Sequence, residues 1–133
     1  MTIHLSWDDA EQTTLRMEMS DGWRIEDLYE QRRQIEQMLA VGDHDIYLII
    51  DVTRTHLVPS GLLSYISHRT ADNKPWNPRV QRVIVATQNA FLRKMFQMVS
   101  VVYRRPIQQF EMVDTLDEAH QRIRTHQQHR LPM

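Results

Sequence analysis

The fold class is decided by the stretch Tyr47-Leu48-Ile49-Ile50-Asp51, which is followed nine residues after its aspartate by Ser60-Gly61-Leu62-Leu63. The continuous apolar and largely β-branched run from Ile46 to Ile50 predicts a strand that is covered on both faces. We expect Asp51 to end this strand at the edge of the sheet where α/β folds place their functional loops. Because Pro59 cannot continue a strand and serine is a preferred N-cap, a helix is predicted to begin at Ser60.

Composition and charge exclude several classes of protein. The 133 residues suit a single domain, and 41% hydrophobic with 25% charged residues is typical of a soluble globular protein. A net charge of -1 argues against a nucleic-acid-binding surface, and no apolar run reaches the roughly 18 residues of a membrane span. The N-terminus lacks the layout of a signal peptide, and without cysteine there is no disulfide or thiol chemistry. We therefore expect a cytoplasmic protein with no nucleic-acid partner and no membrane partner.

Hydrophobic periodicity predicts the remaining elements. Ile3–Trp7 and Thr14–Met19 alternate apolar and polar residues, which indicates an N-terminal antiparallel hairpin. A buried strand is predicted at Val80–Ala86, adjacent to Ile46–Ile50 in the sheet, and a last strand between Ile107 and Val113. Helices are predicted where apolar residues recur with helical spacing between caps or breakers: from Ile25 to Gly42, from Ser60, from Phe91 to Tyr103, and after the capping box Thr115-Leu116-Asp117-Glu118.

The resulting order, β-β-α-β-α-β-α-β-α, predicts an α/β fold. Its sheet is expected to be mixed and mostly parallel, with about five strands, right-handed crossovers, an N-terminal antiparallel hairpin and about four helices. No internal repeat or low-complexity tract interrupts this order. We expect a single domain over residues 1–125, followed by a polar and frayed C-terminal tail over residues 126–133.

This order, together with Asp51…Pro59-Ser60-Gly61-Leu62 and the closing Val113-Asp114-Thr115-Leu116-Asp117-Glu118-Ala119, resembles the STAS domain. That is the fold of the SpoIIAA-like anti-sigma-factor antagonists and of the cytoplasmic tails of sulfate transporters. In the antagonists an Asp-Ser-Ser-Gly segment opens the second helix, and a partner kinase phosphorylates its second serine, whose position falls on Ser60. Val58 and Pro59 stand where the family has Asp and Ser, so the acidic residue next to the phosphoacceptor is missing.

The resemblance implies a non-catalytic protein–protein interaction domain in bacterial signalling or regulation, without a cofactor. Its partner is expected to be a protein such as a kinase-like anti-sigma factor, and a homodimer is compatible with the resemblance. The expected binding surface is the loop after the buried strand and the second helix, with the candidate residues Asp51, Arg54, His56, Ser60 and Leu63. The competing class is a small-ligand-binding domain, for a nucleotide or a lipid, or an α/β enzyme that uses the crevice near Asp51 and Ser60.

Ser60 has two readings that the sequence leaves open. As a phosphoacceptor it would be favoured by the free N–H groups and the positive end of a helix, and phosphate would add about -1.5 to -2 charge at a docking surface. As a plain N-cap its oxygen would stabilise the helix by about 1 kcal/mol.

Four residues invite a comparison with response-regulator receivers. In that family an acidic pair binds Mg²⁺, a later aspartate is phosphorylated, and a Thr or Ser senses the phosphoryl group; Asp8, Asp9, Asp51 and Thr87 would take these roles. Here a strand follows Asp8-Asp9 where a receiver has a helix, and no lysine follows the final strand. We therefore expect Asp51 to be satisfied by loop amides instead.

The sequence predicts neither a catalytic site nor a metal site. A zinc site needs three or four converging ligands, usually with close pairs in sequence, whereas the histidines are scattered. There is no Gly-x-Ser-x-Gly elbow, and three glycines leave no phosphate-cradling loop. The seven histidines are His4, His44, His56, His68, His120, His126 and His129.

Overall fold

The computed structural model of the protein describes residues 3–42, 44–56, 61–62, 64–65, 79–102 and 110–130. These residues form one five-stranded sheet and three helices with defined bounds. The strands are β1 (Ile3–Trp7), β2 (Thr14–Ser20), β3 (Ile46–Arg54), β4 (Val80–Ala86) and β5 (Phe110–Val113). The helices are α1 (Ile25–Leu39), α2 (Ala90–Val102) and α3 (Leu116–Arg130).

The strands lie side by side in chain order, from β1 to β5. β1 is antiparallel to β2, and every later neighbour pair is parallel. Leu48 of β3 lies opposite Leu15 of β2 and Val83 of β4, and all three side chains are fully buried. The predicted N-terminal hairpin and the predicted adjacency of two buried strands are therefore confirmed. Continuous apolar character indicated the central strands because both of their faces are covered.

Strand β3 runs three residues further than we expected. Asp51 does not end the strand: it lies opposite Glu18 of β2 and Ala86 of β4, and the strand continues to Arg54. Between the pairs Glu18–Asp51 and Ser20–Arg54, one residue of β2 lies opposite two residues of β3, which is a β-bulge. Val52 explains the continuation, because its side chain is only 5% exposed and belongs to the hydrophobic core.

Each face of the sheet buries a different set of side chains. On one face, residues of α1 and α2 pack against the sheet in two clusters, which contain Leu15, Met17, Met19, Trp23, Ile35, Leu39, Leu48, Val52, Val85, Leu92 and Met95. On the other face, α3 is the helix that packs on the strands within the described residues, and the cluster contains Tyr47, Ile49, Ile84, Ala86, Val113, Ala119 and Ile123. Helices on both faces of a mostly parallel sheet are the arrangement expected of an α/β fold.

The helix count differs from the prediction of about four. Three helices have defined bounds, and the predicted second helix falls mostly on residues outside the described ranges, Ser60 and Leu63 among them. Within that segment Leu62, Ser64 and Tyr65 are helical, and the Tyr65 N–H donates to the Gly61 carbonyl oxygen at 2.9 Å. The described part of the chain therefore supports a helical turn at this position and no more.

The last helix extends past the expected domain boundary at residue 125. α3 continues to Arg130, where we predicted a frayed tail from His126 onward. A tertiary contact holds this end of the helix in place: the Tyr47 hydroxyl lies 2.6 Å from Nδ1 of His126, and the two rings pack edge to face. The predicted N-cap is confirmed: the Glu118 N–H donates to Oγ1 of Thr115 at 3.2 Å. The Glu118 carboxylate accepts in return from the N–H of Asp114 at 3.1 Å, one residue before the N-cap N–H that a capping box uses.

Candidate functional site

The β-bulge at the end of β3 is closed by Asp51. Its side chain is buried, and Oδ1 accepts hydrogen bonds from the Thr53 N–H at 3.0 Å and from the Thr53 hydroxyl at 2.6 Å. A bulge leaves a backbone group without its ladder partner, and here the carboxylate supplies that partner. Asp51 is thus satisfied by an amide, as we expected, but it belongs to the sheet instead of the exposed binding surface.

Thr55 fixes the residue that follows the strand. Only 3% of Thr55 is exposed, and its hydroxyl donates to the Met19 carbonyl oxygen at 3.0 Å. The same hydroxyl oxygen accepts from the indole N–H of Trp23 at 3.2 Å, and Trp23 is itself buried in the core. Trp23 and Met19, which are 32 and 36 positions away in sequence, therefore hold Thr55 in place. These bonds join the chain just after β3 to the end of β2 and to the β2–α1 loop.

Arg54 and His56 stand on either side of this anchor and are both exposed. The His56 N–H donates to Oδ1 of Asp21 at 2.7 Å, which ties the backbone a second time to the β2–α1 loop. Among the described residues, neither the Arg54 guanidinium nor the His56 imidazole has an ion pair or hydrogen bond. A fixed backbone thus presents two side chains that are able to bind an anionic group.

Two of the predicted site residues, Ser60 and Leu63, lie outside the described residues. Leu62, which lies between them in sequence, is 6% exposed and packs in the same hydrophobic cluster as Trp23 and Val52. Gly61 has a φ of +85°, a conformation that glycine adopts most readily. The structure therefore exposes Arg54 and His56 and buries Asp51, while the assignments of Ser60 and Leu63 stay predictions.

The carboxyl ends of β4 and β5 form a second group of polar residues. Thr87 is completely buried, and its hydroxyl accepts from the Asn89 N–H at 3.0 Å. Oδ1 of Asn89 in turn caps α2 by accepting from the N–H groups of Phe91 and Leu92, at 2.9 and 3.2 Å. The Arg93 guanidinium donates to the Thr87 carbonyl oxygen and pairs with Asp114. These groups satisfy each other and form structural caps.

The four receiver-like residues do not converge. Trp7 lies opposite Leu15, which lies opposite Leu48 near the start of β3, so Asp8 and Asp9 come at the amino end of the parallel strands. Thr87 follows the carboxyl end of β4, at the other edge of the sheet. The Mg²⁺ site of a receiver cannot be assembled from these positions. Antiparallel pairing of β1 is the physical reason, because it reverses the edge at which the loop after β1 emerges.

Asp9 has a structural role in the β1–β2 turn. Its Oδ1 accepts from the N–H groups of Thr13 and Thr14 at 2.9 and 3.0 Å, and its Oδ2 accepts from the Thr13 hydroxyl. Partial burial raises the pKa of Asp9, but these hydrogen bonds outweigh burial and hold the pKa below its ordinary value. Gln12, which completes the turn, has a φ of +58°.

A charged cluster on the α3 side of the sheet was missed by the sequence analysis. Asp8 pairs with Arg16 at 3.2 Å and with Nε2 of His120 at 2.7 Å, and Arg16 also pairs with Glu18 at 2.8 Å. Alternation in β2 indicated that Arg16 and Glu18 share a face, but nothing in the sequence indicated His120, which is 112 positions from Asp8. The cluster joins α3 to the β1–β2 hairpin through His120 and Asp8.

Within the described ranges, no three histidine, aspartate or glutamate side chains are grouped so that they could hold a metal ion. No helix there is long and apolar enough to cross a bilayer. The predicted lack of a catalytic or metal site stays a prediction for the whole chain.

Comparison with known structures identifies the fold. The chain is similar to the crystal structure of an uncharacterized DUF3478-family protein from Shewanella loihica PV-4, described as having a SpoIIAA-like fold. The TM-score is 0.56, the sequence identity is 16%, and 90% of each chain is covered. The chain has a SpoIIAA-like fold. No protein-family model and no curated protein matches the sequence.

The SpoIIAA-like fold confirms the resemblance to STAS domains that the element order indicated. The binding surface that the resemblance implies begins at the end of β3, which the structure describes as far as His56. The two candidate residues with exposed side chains in the described part of that surface are Arg54 and His56. At 16% identity the similarity concerns the fold alone, so a function has to be argued from these residues.

Proposed function

We propose that this chain is a non-catalytic protein-binding domain of bacterial signalling that acts in the cytoplasm in the manner of an anti-sigma-factor antagonist. The single observation that carries the proposal is the rigid base beneath two exposed side chains. Thr55 is buried and hydrogen-bonded to both Trp23 and Met19, while Arg54 and His56 on either side of it face solvent. A preorganised surface loses little conformational entropy on binding, which favours recognition of a partner.

The chemistry of these side chains defines the partner's contact surface. A guanidinium forms two parallel hydrogen bonds with a carboxylate or phosphate, and a neighbouring imidazole adds a donor or an acceptor. We therefore propose an acidic patch on the partner, in keeping with a kinase-like anti-sigma factor that binds beside Ser60 and Leu63. Asp51 acts indirectly, because its hydrogen bonds to Thr53 set the bulge that aims Arg54 outward.

Phosphorylation of Ser60 is proposed as the switch. Ser60 follows His56 by four residues, so a phosphate there would add negative charge to the surface that is proposed to receive an acidic partner. We expect Ser60→Asp to keep the stability of the domain, because aspartate also caps helices, and to weaken partner binding. We expect Ser60→Ala to lose about 1 kcal/mol of stability and to leave binding intact.

The alternative, a small-ligand or enzymatic site in the crevice near Asp51 and Ser60, has less support. Asp51 is 5% exposed and Oδ1 is occupied by Thr53, so this carboxylate is not presented to a ligand. A thermal-shift titration with nucleotides and with lipids tests the alternative. A ligand at 100 times its Kd should stabilise the protein by about 2.7 kcal/mol, and a shift that Asp51→Asn abolishes would favour this alternative over protein binding.

Site-specific crosslinking tests the proposed function. A photoreactive amino acid is placed at His56 in one protein and at Arg124, which is exposed on α3, in a control protein. After irradiation in cells, we expect a specific protein adduct from position 56 and none of it from position 124. The partner identified by mass spectrometry is then purified, and its affinity is measured for wild type, Arg54→Ala, His56→Ala and Arg124→Ala.

We expect Arg54→Ala to reduce the affinity by about 1 to 3 kcal/mol, with a smaller loss for His56→Ala and none for Arg124→Ala. Ser60→Asp and Ser60→Ala are measured in the same assay. The same adduct from both crosslinking positions, or equal affinities for Arg54→Ala and Arg124→Ala, would contradict the proposed surface. Equal affinities for wild type and both Ser60 variants would leave Ser60 as a helix cap only.

A further inference from the structure

The exposed face of helix α2 combines apolar side chains with an exposed lysine. Phe91 is 60% exposed and Met98 is 62% exposed. The core side of α2 carries Leu92 and Met95, each 3% exposed. Phe91 and Met98 are seven residues apart, so they lie on one side of the helix about 10 Å apart along its axis. Lys94 lies between them and is also exposed.

The sequence around α2 has an unusual distribution of charge. From residue 73 to residue 110 it contains seven lysines and arginines and no acidic residue. The rest of the chain has nine lysines and arginines against seventeen acidic residues, so its formal charge is -8, and the near-neutral total hides a basic segment of +7. The seven cations are Lys74, Arg79, Arg82, Arg93, Lys94, Arg104 and Arg105.

Some of these cations are engaged within the fold. Arg93 pairs with Asp114, and Arg79 donates to the carbonyl oxygens of His44 and Leu39. Lys94 has no ion pair or hydrogen bond among the described residues, and it lies on the same face as the two exposed apolar side chains. An apolar stripe with an ammonium at its centre, in a segment without acidic residues, is complementary to a surface that is both apolar and anionic.

We infer that this face of α2, formed by Phe91, Lys94 and Met98, contacts an anionic lipid surface. With the helix axis parallel to the bilayer, Phe91 and Met98 reach the boundary between headgroups and acyl chains, and Lys94 extends its ammonium to the lipid phosphates. The basic segment adds long-range attraction to the negatively charged leaflet. We expected no membrane partner because no segment can span a bilayer, and a peripheral contact does not require a span.

The size and charge of this face disfavour a second copy of the chain as its occupant. The exposed part of Phe91 offers on the order of 100 Å², whereas a stable protein interface buries about 800 Å² on each partner. A symmetric contact would also place Lys94 and its basic surroundings against the same residues of the partner, which costs electrostatic free energy. A lipid surface needs no complementary shape and supplies the opposite charge.

Co-sedimentation with lipid vesicles tests the inference. The full chain is mixed with vesicles of phosphatidylcholine alone and with vesicles of phosphatidylcholine and phosphatidylserine. We expect partitioning that is at least about tenfold stronger with phosphatidylserine and that weakens as salt is raised. Phe91→Ser is expected to reduce partitioning by about fivefold or more, through lost apolar contact. Lys94→Glu is expected to reduce it by about tenfold or more.

Two matched controls separate this face from general surface effects. Val41→Ser removes an apolar side chain that is 79% exposed just beyond α1, and Arg124→Glu makes the same change of charge on α3 as Lys94→Glu makes on α2. We expect both controls to partition like wild type, and all four variants to keep the melting temperature because the substituted side chains are exposed. The melting temperatures also show whether each variant is folded.

Several results would overturn the inference. These are no sedimentation with either vesicle, equal sedimentation with both, or losses in the two controls that match those of the α2 variants. A wild-type dimer in analytical ultracentrifugation that Phe91→Ser dissociates, without a change in vesicle binding, would assign the face to a second copy. Because Arg54 and His56 are not altered in this experiment, its failure leaves the proposed protein-binding function untouched.

Discussion

The carboxyl ends of the parallel strands differ between the two halves of the sheet. At the ends of β4 and β5, Asn89 caps a helix, Thr87 supports that cap, and Arg93 pairs with Asp114. At the ends of β2 and β3 the hydrogen bonds lie below the surface, around Thr55, and the side chains above them are exposed. The comparison separates polar groups that stabilise the fold from exposed polar groups that we propose contact a partner, which sequence alone does not distinguish.

The largest expected effect concerns the buried hydrogen bond between Trp23 and Thr55 at the carboxyl ends of β2 and β3. Trp23 is 5% exposed and donates its indole N–H to Thr55. Trp23→Ala should therefore reduce the free energy of unfolding by about 3 to 5 kcal/mol, because it leaves a large cavity and removes the hydrogen bond that the Thr55 hydroxyl accepts. Urea denaturation measures this loss.

Trp7→Ala is the control for Trp23→Ala, because Trp7 is only half-buried, and we expect it to cost less. Trp23→Phe, which keeps most of the apolar volume, should cost far less than Trp23→Ala. If Trp23→Ala reduced the free energy of unfolding less than Trp7→Ala, the comparison would be contradicted. The buried contacts of Trp23 would then not stabilise the carboxyl ends of β2 and β3.

The second prediction compares one carboxylate at each end. Asp51 is buried and closes the β-bulge through Thr53, whereas the Asp114 side chain is 55% exposed in its pair with Arg93. Asp51→Ala should cost about 2 kcal/mol, because it removes two hydrogen bonds from a charged acceptor and leaves the Thr53 N–H unpaired. Asp114→Ala should cost less than about 1 kcal/mol, as exposed ion pairs do. Chemical denaturation of both variants checks the order, and a larger loss for Asp114→Ala would reverse our assignment of roles.

Particular residues show how far the sequence could predict this architecture. Alternation in Leu15, Met17 and Met19 and the apolar run of β3 predicted the hairpin, the central strands and their adjacency, because both patterns reflect which faces are covered. The bulge after Asp51 could not be predicted, since it depends on register with β2 and not on local composition. The N-cap at Thr115 could be predicted because cap and helix start are only three residues apart.

The site was harder to predict for the same reason. Arg54 and His56 are candidates because the resemblance to STAS domains implies a binding surface after the central strand. Thr55, whose buried hydroxyl anchors the backbone between them, was not among the candidates. Its partners Trp23 and Met19 are more than 30 residues away, and no local pattern indicates such a contact. Exposure of Phe91 and Met98 was missed because periodicity reports the most buried side of a helix and cannot show how wide that side is.

The third prediction extends the comparison to the opposite edge of the sheet. Asp9 closes the β1–β2 turn by accepting hydrogen bonds from Thr13 and Thr14. It is therefore a structural group, like the polar residues at the carboxyl ends of β4 and β5, whose hydrogen bonds are made within the fold. Its pKa is lower in the folded state than in the unfolded state, so its contribution to stability is fully present above the unfolded pKa and is lost as pH falls through the folded pKa. Asp9→Asn should therefore cost about 1 kcal/mol at neutral pH, and this cost should shrink as pH falls below about 4.

Denaturation of wild type and Asp9→Asn over a series of pH values measures this dependence. All other carboxylates are common to the two proteins, so their contributions cancel when one free energy of unfolding is subtracted from the other. A cost that does not change with pH would mean that the Asp9 charge contributes nothing to the turn.

The smallest expected effects test the comparison most directly, because they concern residues whose proposed role is binding. Arg54→Ala and His56→Ala should each change the free energy of unfolding by less than about 0.5 kcal/mol, because these side chains are exposed. Arg93→Ala at the other end should cost about 1 kcal/mol, because it removes the hydrogen bonds to Thr87 and the pair with Asp114. In partner binding the order should be inverted, with a loss for Arg54→Ala and little change for Arg93→Ala. If Arg54→Ala destabilised the domain more than Arg93→Ala, the β3 end would be structural like its neighbour, and the binding surface would have to lie elsewhere.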